Sequence, residues 1–228
     1  MTASKPVDAA SLILIDDRGP APKILMGRRH DSLKFMPSKF VFPGGRLDPS
    51  DRRASAFGAL DHQVEAKLCL RVPRASPARA RALALAALRE TFEETGILIG
   101  ERDLGAYVAP QDSGWKAFES ESIWPSLDGL ELVARAVTPP RYPRRYDTRF
   151  FLCRAEKIIK QMDGHAGPDK ELTTLEWVTF EDARKLDIPT ITAMILESLQ
   201  EQWTAGLPRF RPIPFFYSKN GRHLCDML

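Results

Sequence analysis

Three glutamates near the middle of the chain have the types and spacing for joint chemistry. Glu90, Glu93 and Glu94 stand at i, i+3 and i+4 in the run Arg89-Glu90-Thr91-Phe92-Glu93-Glu94-Thr95-Gly96. On a helix that spacing puts all three on one face. Like charges so placed repel, and the negative end of a helix dipole disfavours carboxylates further. A bound cation relieves both strains. Hard carboxylate oxygens select Mg²⁺ or Mn²⁺, ions that share their coordination with substrate phosphates. The bland alternative is an exposed acidic turn with Arg89 as its local ion-pair partner.

A long helix must carry this run. Ser76 can cap its start, Pro77 suits a first helical turn, and Gly96 suits the C-terminal cap, so the sequence predicts a helix from Pro77 to Thr95. Ahead of it, Ala9 to Ile15 reads as a strand ended by Asp16-Asp17-Arg18-Gly19-Pro20, with Lys23 to Arg28 as its hairpin partner. Phe40-Val41-Phe42 reads as a short strand stopped by Pro43-Gly44-Gly45. Beyond the helix, Ile97 to Ile99 is apolar, and the stretch 112–125 has no clear pattern. Leu130 to Val137, Thr148 to Cys153 and Leu172 to Phe180 read as strands, and 161–168 as a surface loop. A short helix starts at Thr179 or Glu181, and Pro189 to Trp203 has a helical apolar pattern. The tail, 208–228, reads as an edge strand or an arm. Strands, one long helix, more strands and then helices make an α+β or three-layer pattern rather than a regular βαβ alternation.

Composition excludes several classes. The 228 residues are 43% hydrophobic and 28% charged, which is globular rather than disordered. No apolar run reaches the ~18 residues of a membrane span. Met1 to Pro6 lacks the basic and apolar regions of a secretory signal, which makes the cytoplasm the default compartment. Cys69, Cys153 and Cys225 are odd in number and far apart, so they read as packing residues, not as a disulfide framework or a metal knuckle. The histidines (His30, His62, His165, His223) are scattered, and none is assigned to metal or proton transfer.

Charge is distributed unevenly. Lys and Arg total 33 against 30 Asp and Glu, a net +3. Residues 52–88 hold seven of the cations and two of the anions, a local +5 that leaves −2 for the rest. Such a segment suits an anionic ligand or a nucleic-acid backbone, or is a solvated helical face. A second basic stretch runs from Arg141 to Arg154. Neither shows a reading helix or an aromatic stacking platform, which argues against nucleic acid as the partner.

Phe42-Pro43-Gly44-Gly45, Asp51 and Arg89-Glu90-x-x-Glu93-Glu94-x-Gly96-Ile97 together resemble the Nudix box, G-x5-E-x7-R-E-U-x-E-E-x-G-U, where U is bulky and apolar. Gly45 takes the first glycine and Ile97 the last position. Three positions depart from the pattern. Asp51 replaces Glu, Thr91 stands at a U position, and 37 residues rather than seven separate Asp51 from Arg89. The basic segment is this insertion. Phe35-Met36-Pro37, the Phe40–Gly45 run and Arg145-Tyr146-Asp147-Thr148-Arg149-Phe150-Phe151 narrow the resemblance. They look like the Nudix branch that has a long insertion in the box and includes a peroxisomal coenzyme A diphosphatase.

The resemblance implies a Nudix fold, a mixed sheet sandwiched between helices (α/β/α). It would be one domain over 1–228, with 52–88 as a basic, largely helical insertion and 208–228 as a C-terminal tail. It also implies a pyrophosphohydrolase that uses Mg²⁺ or Mn²⁺. Glu90, Glu93 and Glu94 take the metal positions, joined by the Gly44 carbonyl. Arg89 takes the position that orients the glutamates, while Gly45, Asp51 and Gly96 take structural positions. The general base is Glu90 or Glu171, the latter otherwise a solvated loop residue. The insertion is expected to cap the site. Arg71 and Arg74 within it, and Arg144 and Arg145 beyond it, are the expected substrate-binding cations. Coenzyme A or acyl-CoA leads the substrates. The alternatives are ADP-ribose, NADH or a dinucleoside polyphosphate, or a Nudix module that binds a nucleotide without cleaving it. The expected partner is this small molecule, with neither nucleic acid nor membrane; a homodimer using the tail stays open.

Overall fold

A computed structural model describes residues 4–111 and 113–228. The stretch without a clear sequence pattern begins at Asp112, and that residue lies outside the described ones, as do Met1 to Ala3. The chain opens with a hairpin, β1 (Val7–Asp16) and β2 (Lys23–Arg29), followed by the short β3 (Phe40–Val41) and β4 (Gly44–Arg46). Then come a 3-10 turn, Pro49–Arg52, and the helices α1 (His62–Cys69) and α2 (Pro77–Thr95). Next are β5 (Ile97–Glu101), α3 (Lys116–Ser120), β6 (Trp124–Pro125), β7 (Glu131–Val137) and β8 (Tyr146–Arg154). The chain continues through β9 (Ile158–Gln161), β10 (Leu172–Thr179), α4 (Phe180–Ala183), α5 (Thr190–Thr204), β11 (Pro214–Lys219) and β12 (Arg222–Met227).

The main sheet runs β10-β2-β1-β8-β7-β11-β12, with β3 on β2 and β4 on β1. It is mixed: β1 pairs parallel with β8 and β11 parallel with β7, while the other contacts are antiparallel. β1 lies near the centre and is buried on both faces, which explains why Leu12-Ile13-Leu14-Ile15 is continuously apolar. Ala10, Leu12 and Leu14 join Phe151, Cys153 and the α2 residues in one core. Ile13 and Ile15 face the other way, into a second core with Phe150, Leu152 and the α5 residues Ile195, Leu196 and Leu199. Two cores on two faces of one sheet are the α/β/α sandwich expected of this α+β chain. β6, β5 and β9 form a small second sheet.

The long helix begins at the Ser76 cap, whose hydroxyl accepts from Arg79 N, and ends at Gly96 with φ 73°, a left-handed conformation that favours glycine. The tail is a hairpin at the edge of the main sheet. The sequence did not mark α1: it is only eight residues long and has two buried positions, so its periodic signal is weak. No helix among the described residues is long and apolar enough to cross a membrane.

Candidate active site

Arg89 organises the end of α2. Its guanidinium donates to both oxygens of Asp51, at 2.8 and 3.0 Å, and to the Arg46 carbonyl at 2.9 Å. The remaining nitrogen donates to Glu90 and Glu93, each at 3.0 Å. Burial works against the Arg89 charge, but Asp51, Glu90 and Glu93 outweigh it and raise the pKa above its ordinary value. Asp51 is fully buried and also accepts from Trp115 Nε1 at 3.2 Å and Asp48 N at 2.8 Å. The 3-10 turn puts it there, as the second half of a capping box with Asp48. The insertion therefore leaves the two ends of the motif in contact.

Glu90 and Glu94 lie one helical turn apart and line a cleft of about 1050 Å³ together with Gly44, Gly45, Arg46 and Glu171. Gly44 N donates to Glu94 Oε2 at 2.9 Å, which fixes the loop to the helix. A Cβ at Gly45 would collide with the Glu90 carboxylate, so only glycine permits this approach. Burial pushes the Glu90 pKa up to about 7; Arg89 opposes the shift and Glu93 adds to it. Burial also holds the Glu94 carboxyl well above the usual range, against the Gly44 hydrogen bond and with added repulsion from Glu171 and Glu90. Glu171 reaches the cleft just before β10 and pairs with Arg29 at 2.9 Å.

The other expected site residues fall differently. Glu93 does not line the cleft: it is held by Arg89 against the backbone at Gly114. Gly96 ends the helix, away from the cleft lining. Among the expected substrate-binding cations, Arg144 lines the cleft, whereas Arg71, Arg74 and Arg145 do not. Arg71 pairs with Asp226 and lies over the rings of Phe215 and Tyr217. Arg145 donates to the carbonyls of Thr138 and Ser4. Arg74 is exposed on the α1–α2 turn.

The cap expectation is corrected with them. Arg79 is bound to Asp8, Arg81 to the Ala54 carbonyl and Lys67 to the Arg211 carbonyl. Four of the insertion's seven cations pack onto the body of the protein, Arg52, Arg53 and Arg74 are exposed, and none of the seven lines the cleft. Sequence reading also missed two residues of the site. Arg29 anchors Glu171, and Trp115 supports Asp51. Only their residue types hinted at a role, since their partners are remote in the chain.

The donor set suits a hard divalent ion. Among the described residues no three His, Cys, Asp or Glu side chains converge closely enough to enclose a metal by themselves. Mg²⁺ does not require that; it is commonly held by one or two carboxylates, water and substrate phosphates. The buried Glu94 and the partly buried Glu90 beside it, with a glycine loop against both, fit this mode.

No family model matches the chain. A provisionally named nudix hydrolase 7 of Caenorhabditis elegans is 31% identical over 63% of this chain and 43% of its own length. The acyl-coenzyme A diphosphatase NUDT19 of Xenopus laevis is 24% identical over 71% of this chain and 53% of its own length. The chain thus spans about half the length of the curated relatives it matches. A crystal structure of a NUDIX hydrolase from Alicyclobacillus acidocaldarius is 28% identical, with a TM-score of 0.64, over 85% of this chain and 90% of that one.

Proposed function

This chain belongs to the Nudix superfamily, and from that premise we propose that it is a pyrophosphohydrolase acting on a nucleoside diphosphate linked to a second group, with coenzyme A or an acyl-coenzyme A as the leading substrate. The observation that carries the reading is the pair Glu90 and Glu94, set against the Gly44–Gly45 loop at one end of a cleft large enough for a nucleotide. The acyl-coenzyme A diphosphatase among the relatives supports the choice of substrate.

Glu90 and Glu94 would hold Mg²⁺ or Mn²⁺, with the Gly44 backbone as the third donor that the family pattern implies. The bound ion supplies charge neutralisation of the diphosphate and a lower pKa for attacking water. Arg89 keeps Glu90 and Glu93 oriented, and Asp51 keeps Arg89 in place. Glu93 acts through Arg89 rather than from the cleft wall. Glu171 serves as the base: it faces the cleft, is half exposed, is not engaged by Arg89 and is steadied by Arg29. Arg29 and Arg46 line the same end, where they attract the diphosphate.

The test is a Mg²⁺ and Mn²⁺ screen against coenzyme A, acyl-CoAs, ADP-ribose, NADH and diadenosine polyphosphates, with products separated by ion exchange. Coenzyme A should yield a phosphopantetheine and an adenosine bisphosphate. Glu94→Gln should lose at least a hundredfold in kcat with its melting temperature retained, because Gln matches the shape of the buried acid. Undiminished turnover in that variant would remove the assignment of the metal to Glu94.

A further inference from the structure

The second basic stretch of the sequence serves two purposes. Three of its arginines are structural: Arg145 bonds to two carbonyls, Arg149 is buried against Asp8, and Arg154 pairs with Asp17. Arg141 and Arg144 differ from these. Both are exposed, both line the cleft, and among the described residues neither meets a carboxylate.

The loop that carries them joins β7 to β8 and reads Thr138-Pro139-Pro140-Arg141-Tyr142-Pro143-Arg144-Arg145. Its three prolines fix three φ angles. Tyr142 N donates to the Pro139 carbonyl at 3.2 Å, and Arg145 closes the base of the loop on the Thr138 carbonyl at 3.0 Å. The two arginines are therefore presented on a stiffened turn, which lowers the ordering cost of binding.

The carboxylates of the cleft lie at one end, where Arg29 and Arg46 also line it. Its acidic lining residues, Glu90, Glu94 and Glu171, gather around the Gly44 loop on β4. The β7–β8 end has Arg141 and Arg144 instead, bordered by the C-terminal hairpin. Phe216 of β11 lies opposite Ala136 of β7, Ser218 and Thr138 both line the cleft, and Ser218 Oγ meets His223 Nδ1 of β12 at 3.0 Å. The Tyr142 ring stands beside Arg141, 5.4 Å from the guanidinium carbon. From β4 across β1 and β8 to β7 is three interstrand steps, about 14 Å. A ribose with its phosphates bridges such a gap, whereas a bare diphosphate does not.

We infer that this end of the cleft is a phosphomonoester subsite. Arg141 and Arg144 hold a phosphate borne on the ribose of a nucleoside whose diphosphate lies at Glu90 and Glu94, and Tyr142 offers its face to the base. Two guanidiniums suit a phosphate through charge-assisted, bidentate hydrogen bonds. The inference rests on the diphosphatase reading and narrows it to substrates that carry a further phosphate.

Two measurements test it. The first is kcat/KM with Mg²⁺ or Mn²⁺ for coenzyme A against dephospho-coenzyme A, and for NADPH against NADH. The pairs separate a 3′ from a 2′ phosphate. At least one phosphorylated member should be preferred about tenfold or more, the scale of one charged hydrogen bond at an accessible site. In the double variant Arg141→Gln/Arg144→Gln that preference should fall toward one. The second is calorimetric binding of adenosine 3′,5′-bisphosphate against AMP, which needs no turnover. The bisphosphate should bind about tenfold more tightly to the unaltered protein and lose that advantage in the double variant. If neither these four nor ADP-ribose and the diadenosine polyphosphates are cleaved, the diphosphatase reading fails, and calorimetry still decides the subsite. Equal binding of the two nucleotides, or a preference that survives both substitutions, would overturn it.

Discussion

Asp51 is one methylene shorter than the glutamate of the Nudix pattern, and its surroundings leave no room for the difference. Its carboxylate is fully buried and takes donors from Arg89, Trp115 and Asp48. Asp51→Ala would leave Arg89 buried, with Glu90 and Glu93 as its remaining anionic partners. Breaking a buried pair on one side costs about 3 kcal/mol, and for a chain of this size that lowers the melting temperature by about 6–12 °C. kcat should fall as well, because Arg89 would draw Glu90 out of the cleft. Trp115→Phe removes one hydrogen bond, costs about 1 kcal/mol and should keep most of the activity. Thermal melts and steady-state rates of both variants check this; equal melting temperatures would deny Asp51 its anchoring role. The sequence showed part of this site. The spacing of Glu90, Glu93 and Glu94 was readable because a helix face is a local property. The supports were not, because Trp115 lies 64 residues from Asp51, and Arg29 lies 142 from Glu171.

At the scale of elements, the same contrast separates α2 from the insertion that leads into it. Ser76-Pro77 and Gly96 marked both ends of the helix because caps act within a turn. The charge of the insertion misled because its partners are distant: Arg79 meets Asp8 across 71 residues and Arg71 meets Asp226 across 155. The Arg79–Asp8 pair belongs to a network that pins the start of α2 to β1 and β8. Asp8 accepts two bonds from Arg79 and one from Arg149, and Asp147 accepts two from Arg135. Arg149 is almost fully buried, and its Nε and one terminal nitrogen have no hydrogen-bond partner among the described residues. The two substitutions in this network should therefore be unequal. Asp8→Asn strips a buried guanidinium of a charge partner and should cost about 3 kcal/mol. Arg149→Met leaves Asp8 with Arg79 and Asp147 with Arg135, removes the unpaired N–H groups and should change stability by about 1 kcal/mol or less. Burial alone would raise the Asp8 pKa, but Arg79 and Arg149 reverse the sign and hold it below the usual carboxylate range. The contribution of Asp8 is then complete above about pH 4, the ordinary value, and fades as pH falls through the depressed folded value. The melting-temperature gap between wild type and Asp8→Asn should be constant from pH 5 to 7 and shrink below pH 4. A gap that widens in acid would contradict the ion-pair account.

Across the whole molecule, the sheet separates two cores and the cleft joins what lies on either side. α2 packs on one face and supplies Glu90 and Glu94, while Thr148, Phe150 and Phe216 on the opposite face form the floor. The glutamates thus reach the cleft around the short β4 edge, which hydrogen-bonds to β1 from Gly44 to Arg46. That route makes the site a junction between helix, loop and sheet, so an ion bound there should stabilise the fold and not merely one side chain. Without a cation, the buried Glu94 and the partly buried Glu90 keep their repelling neighbours, and desolvation is the main cause of the raised pKa of each. A ligand that binds only the folded state at a hundred times its Kd adds about 2.7 kcal/mol, which is about 5–11 °C in melting temperature here. Mg²⁺ or Mn²⁺ at such a concentration should produce a rise of this size, and EDTA should reverse it. The rise should be lost in Glu94→Gln, which keeps the shape but not the charge, and kept in Arg71→Gln, which lies on the α1–α2 turn against the C-terminal hairpin and outside the cleft lining. A rise that survives Glu94→Gln would place the ion elsewhere, and a loss in Arg71→Gln would mean that the hairpin and the metal end are coupled through the sheet.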